Sequence, residues 1–325
     1  MNSLLIEKYR PKKFEDVILS DELTNYFKNC IYVDKEIPHL LFYGKAGIGK
    51  TTLGKVIANE LKCDFLYING SIDNRIEIMR DKIRRFAETY SDSDVWDNTE
   101  VKIKKIVFID ECEKCTFQES LKVVLEEMSG NCRFILATNN ISKIIDPLKN
   151  DERCHTFNLE PKDQTSRSAL AGRYVQRLSF ILDEEKIPYD NQDALKKIVV
   201  FTFPSMRRAI STAHKTYKIH GKISNDIVLD NTIDKKFVDL INAVPKNYSE
   251  ILKFCANSDP DTILNDFVQN FFRYVPDPKD RDTAAEIWTE FATKRMPFND
   301  NKENVLIGFM MTLGSKVKLT MPVTK

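Results

Sequence analysis

Between residues 40 and 160, short unbroken apolar runs alternate with stretches whose apolar positions recur every three or four residues. The runs Leu40-Leu41-Phe42-Tyr43, 65–68, 105–109 and 133–137 predict strands buried on both faces, with a weaker strand at 155–159. Helices are expected at about 21–29, 52–61, 76–90 and 117–128; Ile76, Met79, Ile83, Phe86 and Ala87 carry the spacing of the third. Strands alternating with helices predict a parallel α/β sheet with a site at the strand C-termini. Residues 1–20 are expected to form an extended arm, because Pro11 disfavours helix at Arg10. The polar, acidic stretch 91–100 predicts a surface loop.

From Pro161 the strand signal fades. Helices are expected at 165–182, 191–201 and 205–217, punctuated by Pro161, Pro188 and Pro204, and then at 237–244, 248–256, 259–274, 280–294 and 302–316. The predicted organisation is a parallel-sheet domain at 1–160, a small helical domain at 161–230 and an all-α domain at 231–325.

Composition adds limits. With 49 basic and 48 acidic residues the net charge is +1, so no global field attracts nucleic acid and any such contact must come from a local cluster. The seven cysteines are scattered and odd in number, so reduced thiols are expected. Cys112-Glu113-Lys114-Cys115 is a lone C-x-x-C without a second pair, and packing is preferred to metal. No N-terminal signal pattern and no apolar run near ~18 residues is found, which gives an expected cytoplasmic location and no membrane partner.

The chemistry starts at Gly44-Lys45-Ala46-Gly47-Ile48-Gly49-Lys50-Thr51, which fits G-x-x-x-x-G-K-[ST] without a mismatch. A predicted strand leads in and a helix leads out, so the backbone N–H groups of Gly47, Ile48, Gly49, Lys50, Thr51 and Thr52 would cradle phosphate at a helix N-terminus. Lys50 would reach the β- and γ-phosphates, and Thr51 would offer its hydroxyl to Mg2+. The strand at 106–109 ends in Asp110-Glu111, where Asp110 would hold the metal and Glu111 would polarise the attacking water. The strand at 133–137 ends in Thr138-Asn139-Asn140, and an asparagine there suits orienting water or touching the γ-phosphate.

Lys8-Tyr9-Arg10-Pro11, the phosphate loop, Asp110-Glu111-Cys112-Glu113, Ala137-Thr138-Asn139-Asn140, Pro147-Leu148 with Arg153-Cys154, and Ser205-Met206-Arg207-Arg208 occur in one order. In these motifs the chain resembles the small subunits of replication factor C, and more closely the ATPase subunit of tailed-phage sliding-clamp loaders. The resemblance is specific over residues 1–215 and becomes one of length and helical texture after 235. It implies a P-loop AAA+ domain, a helical lid and a helical collar, assembled with copies of itself or another loader subunit into a ring of five. It implies ATP and Mg2+ as cofactors, with a sliding clamp and primer–template DNA as partners. By position, Glu7, Lys8, Tyr9 and Ile18 would surround the adenine, Asn139 would sense the γ-phosphate, and Arg207 would reach it from the lid. Arg153 would act in trans in the neighbour's site. Two extra residues separate Pro147-Leu148 from Arg153, and Glu152 stands where the family has serine, which keeps Lys149 as an alternative.

Arg75, Arg80, Lys82, Arg84 and Arg85 crowd one helical segment, and Lys122 lies on the helix after the acid pair. In the family such positions line the ring and follow the DNA backbone; Arg75, Arg80, Lys82 and Lys122 are therefore the expected phosphate contacts, which are sequence-independent and salt-sensitive. A clamp-contacting segment is expected near 81–99 or 115–119. Two other functions stay open: another AAA+ DNA motor such as a branch-migration helicase, and a non-hydrolysing structural subunit, against which Lys50 and Glu111 argue.

Overall fold

The computed structural model describes residues 2–72, 76–89, 105–116, 118–149, 153–224, 233–256, 260–269, 271–296 and 301–320. The chain divides into two compact units, Met1–Ile223 and Ser224–Lys325. The first opens with helix α1 (Asn2–Lys8) and α2 (Asp21–Lys28), followed by strand β1 (Leu40–Tyr43), α3 (Lys50–Glu60), β2 (Asp64–Asn69), α4 (Ile76–Glu88), β3 (Lys105–Asp110), α5 (Gln118–Glu127), β4 (Arg133–Thr138), α6 (Asp146–Lys149) and β5 (His155–Asn158). Helices α7 (Gln164–Glu184), α8 (Gln192–Thr202) and α9 (Met206–His220) complete it.

Among the described residues, the sheet has five parallel strands in the order β2-β3-β4-β1-β5. Side chains alternate between faces along each strand. Leu40, Phe42, Ile106, Phe108, Ile135 and Ala137 pack with Leu53, Val56 and Ile57 of α3 on one face. Leu41, Val107, Ile109, Phe134 and Leu136 pack with Met79 and Ile83 of α4 and with Leu121, Val124 and Leu125 of α5 on the other. Burial on both faces is why these strands read as continuous apolar runs rather than alternating ones.

The expectation of an extended arm over 1–20 is corrected for its first residues. Residues 2–8 are helical, and Leu5 is buried, with α1 packed on α9. Pro11 restricts the residue before it, not a helix that ends at Lys8.

Each of the helices α7 to α9 begins at a side chain that accepts a backbone N–H of the first turn: Asp163 from Ser166, Asn191 from Asp193 and Ala194, and Ser205 from Arg208. These helices tie back to the N-terminal arm. Lys8 and the Tyr9 hydroxyl both donate to Glu185 at 2.6 Å. Arg177 donates to the Tyr9 carbonyl at 3.3 Å, and Arg173 to the Leu19 carbonyl at 2.8 Å and to Asp21.

The second unit is helical: α10 (Ile233–Asn242), α11 (Tyr248–Ala256), α12 (Pro260–Gln269), α13 (Phe271–Tyr274), α14 (Pro278–Thr289) and α15 (Lys302–Lys316). Phe267 stacks on Tyr274 with ring centroids 5.8 Å apart, and both lie in a core with Phe237, Phe291 and Phe309. Of the helix expected at 259–274, residues Pro260–Gln269 and Phe271–Tyr274 are helical, and residues 259 and 270 lie outside the described residues. Helix α14 starts two residues earlier than expected, because the Asp277 side chain accepts the Lys279 N–H and Pro278 occupies the first turn. The expected loop at 91–100 and residues 225–232 lie outside the described residues. Among the described residues no helix is long and apolar enough to cross a membrane.

Candidate functional site

The C-terminal ends of β1, β3 and β4 open on one edge of the sheet, and the chemical residues follow from that. Register pairs Tyr43 with Thr138 and Ile109 with Leu136, so the loop after β1 lies beside Asp110-Glu111 and Asn139. The loop turns through Gly44, Gly47 and Gly49, all at positive φ, and α3 starts at Lys50. Gly47 also admits the lid: a Cβ there would sit 2.2 Å from the Ser205 Oγ.

Lys50 is 6% exposed. Its ammonium donates to the carbonyls of Gly44 at 2.6 Å and Lys45 at 3.2 Å and to the Asn139 Oδ1 at 2.8 Å. Burial lowers its pKa; Asp110, Glu113 and Glu160 oppose that effect, and Arg207 adds to it. Thr51 donates its hydroxyl proton to Asp110 Oδ2 at 2.7 Å, which leaves the lone pairs of its oxygen available. The Glu111 N–H donates to Asp110 Oδ1 at 3.0 Å.

Glu111 takes a left-handed backbone conformation at φ 52°, a conformation costly for a residue with a Cβ. Its carboxylate pairs with Lys114 at 2.6 Å, and hydrogen bonding from Lys114 holds its pKa below the usual glutamate value. Asn139 presents its amide in a fixed sense, because its N–H and Nδ2 both donate to Glu113 Oε1, at 3.2 and 3.3 Å. The other Glu113 oxygen is buried and unpartnered.

A cleft of ≈220 Å3 joins these groups. Glu7, Tyr9, Ile18, the stretch Gly47 to Thr52, Asp110, Glu111, Asn139 and Arg207 all line it. Lys8 points instead to Glu185. Arg153 pairs with Glu126 at 2.7 Å and lies outside the cleft lining, and Lys149 pairs with Asp146 at 3.1 Å. Arg80 makes two bonds to Glu127, at 3.0 and 2.8 Å, Lys82 is exposed and Lys122 is half-buried. Arg75 lies outside the described residues.

The cleft also contains residues the sequence reading did not select. Arg10, Asp16, Tyr174 and Arg177 line it. The Arg10 Nε donates to the Thr52 hydroxyl at 3.2 Å, while Arg177 reaches Asp16 at 3.4 Å. Tyr67 of β2 donates its hydroxyl proton to Asp110 Oδ2 at 3.2 Å. Only the order of strands, which no local pattern carries, brings Tyr67 next to β3. Glu113 stood within a quoted motif, yet its role needs the fold of β4 beside it.

Residues 40–161 match the family described as "ATPase family associated with various cellular activities (AAA)". Among curated relatives, the replication factor C small subunit of Saccharolobus solfataricus is 34% identical over 69% of this chain and 64% of its own length. That of Sulfurisphaera tokodaii is 32% identical over 69% and 65%. That of Methanocella arvoryzae is 31% identical over 77% of this chain and 72% of the relative. The chain thus spans just under two thirds of the first two relatives. Among solved structures, the Thermotoga maritima RuvB Holliday junction branch migration motor aligns over 92% of this chain and 91% of its own, with a TM-score of 0.55 at 16% identity. A point variant of the same protein gives a TM-score of 0.56 at 17% identity, over 87% of this chain and 88% of its own. These two likenesses concern the fold alone. On the sequence likeness, joined to the phosphate loop and acid pair at one sheet edge, the chain belongs to the replication factor C small-subunit family of AAA ATPases.

Proposed function

We propose that the chain is the ATP-hydrolysing subunit of a sliding-clamp loader, which uses ATP to open a ring-shaped clamp and place it on primer–template DNA. One observation carries the reading: a single cleft is lined by the phosphate loop, by Asp110-Glu111 and by Arg207 of the lid. The relatives named as replication factor C small subunits give that site its context.

The residues present fit Mg2+-ATP. A buried ammonium held by two loop carbonyls and an amide oxygen suits an exchange of those acceptors for phosphate oxygens. A threonine that donates to a carboxylate while its own oxygen stays available suits a shared divalent cation. When bound, Mg2+-ATP supplies the phosphoanhydride to be cleaved and a charge that offsets its own. Lys50 binds and neutralises phosphate oxygens. Thr51 and Asp110 would hold the metal. Glu111, kept ionised by Lys114, accepts hydrogen bonding from the attacking water and takes its proton. Asn139, held by Glu113 with its amide oxygen on Lys50, would sense the γ-phosphate. Arg207 reaches the γ-phosphate from the lid, and Arg153 completes a neighbour's site. Glu7, Tyr9 and Ile18 would surround the base, while Lys8 pairs with Glu185 outside the cleft lining. In a ring of five with loader subunits, Arg75, Arg80, Lys82 and Lys122 contact DNA phosphates, and the complex works in the cytoplasm without a membrane partner. For Arg80, phosphate must displace Glu127.

The test is steady-state ATP hydrolysis by the assembled loader, alone, with clamp, with primed DNA, and with both. Turnover should rise most with both together. Glu111→Gln should keep ATP and DNA binding and lose turnover by about 100-fold or more, the size of a removed general base. Stimulation by four-way junctions in place of clamp and primed DNA would overturn the loader reading in favour of a branch-migration motor.

A further inference from the structure

The Asp110 carboxylate has a third hydrogen-bond partner that no motif of the chain predicts. Its Oδ1 accepts the Glu111 N–H at 3.0 Å, and its Oδ2 accepts the Thr51 hydroxyl at 2.7 Å. The same Oδ2 accepts the Tyr67 hydroxyl at 3.2 Å. Tyr67 comes from the neighbouring strand, one pleat before Asn69, which pairs in register with Asp110. Its ring lies nearly parallel to that of Phe108, at 10° and 6.1 Å between centroids, and the Lys55 ammonium stands 5.9 Å from its face. Phe108 is wholly buried under α3, so the platform beneath the phenol is fixed.

Tyr67 is nevertheless 44% exposed, too open for its position to be explained by burial alone. A carboxylate at the end of a strand rotates about its terminal torsion, which is broad. Bonds from two elements to one oxygen and from the following residue to the other remove that freedom. Thr51 cannot do this alone, because its own hydroxyl would be a ligand of the cation and would have to adjust when a metal binds. Tyr67 approaches from β2, away from the phosphate loop.

We infer that Tyr67 is a positioning residue for the divalent cation: its hydroxyl locks the Asp110 carboxylate in the orientation that, with Thr51, receives Mg2+. This rests on the ATP-site reading above. Tyr67 is not among the residues that line the cleft. Its effect passes through Asp110.

Tyr67→Phe removes the hydroxyl and keeps the ring on Phe108. Binding of a fluorescent ATP analogue to the full chain is measured in EDTA and then across a Mg2+ titration, beside melting of the nucleotide-free protein. Tyr67→Phe should match the wild type in EDTA and in melting temperature. Its Mg2+ midpoint for the tightening of nucleotide should rise roughly tenfold, the size of one hydrogen bond to a charged group. Asp110→Asn, which alters the ligand itself, should lose most of the Mg2+ response and mark the limit of the scale. An unchanged Mg2+ midpoint in Tyr67→Phe overturns the inference, as does an equal loss of affinity with and without Mg2+ accompanied by lower melting, which would make Tyr67 a packing residue. If the wild type itself shows no tightening with Mg2+, the ATP-site reading fails first.

Discussion

Arg207 shows how a single residue depends on its setting. It follows Ser205, whose hydroxyl caps α9, and it lines the cleft that holds Lys50. A guanidinium there gains energy only from charge that reaches it, and the γ-phosphate is the group that ATP has and ADP lacks. Arg207→Ala should therefore weaken ATP by about tenfold, as expected for one charge-assisted contact, and leave ADP within about twofold. Parallel titrations with the two nucleotides check this; equal weakening of both would place Arg207 elsewhere than on the γ-phosphate.

At the scale of elements, the decisive contact is α3 on β3. Gly54 faces the sheet, and a Cβ there would lie 2.4 Å from ring atoms of Phe108. Phe108 is wholly buried and carries Tyr67 on its ring, so it has little room to yield. Gly54→Ala gains about 1 kcal/mol of helix propensity but forces overpacking of about 1–3 kcal/mol. A net loss of stability is expected in chemical denaturation, with a weaker Mg2+ response because α3 carries Lys50 and Thr51. Gly54→Ala combined with Phe108→Leu should recover part of the stability. The helix and the strand were each legible in sequence, α3 from its apolar spacing and β3 from its unbroken run. That a glycine in the helix meets a phenylalanine in the strand was not, because it depends on which residues face each other across layers. The same limit applies to Tyr67 and Glu113. Tyr67 acts on Asp110 of the neighbouring strand and Glu113 on Asn139 just beyond β4, and strand order is set by packing and crossover handedness rather than by any local window.

For the whole molecule, His39 provides a prediction. Its Nδ1 accepts the Phe134 N–H at 3.1 Å at the start of β4. Burial, helped by the positive charge of Arg133, lowers its pKa from 6.5 to about 4. Between those values the unfolded chain binds a proton that the folded chain does not. Stability from this group is therefore full above about pH 6.5 and falls as pH drops towards 4, by about 3 kcal/mol at most. Melting of the wild type should fall more steeply between pH 6.5 and 4 than that of His39→Gln, whose side-chain oxygen can still accept the Phe134 N–H. Parallel slopes for the two proteins would show that other groups control the acid limb.

The sequence by itself determined the parallel sheet, the succession of helices after residue 160, and the phosphate loop with its acid pair. Those features depend on interactions within a few residues: an apolar run, a cap, a glycine turn, a charged strand end. Helix α1 escaped that reading because its burial comes from α9, some 200 residues later in the chain. Tertiary structure alone decided that Lys50 donates to the Asn139 amide oxygen, that Asp110 is held from two sides, that Lys8 turns to Glu185, and that Arg80 and Arg153 are paired with neighbouring glutamates on α5. Hydrogen bonds and ion pairs of this kind act over ~3 Å between residues far apart in sequence. Their partners are fixed only when the sheet order and the layers over it bring the side chains together.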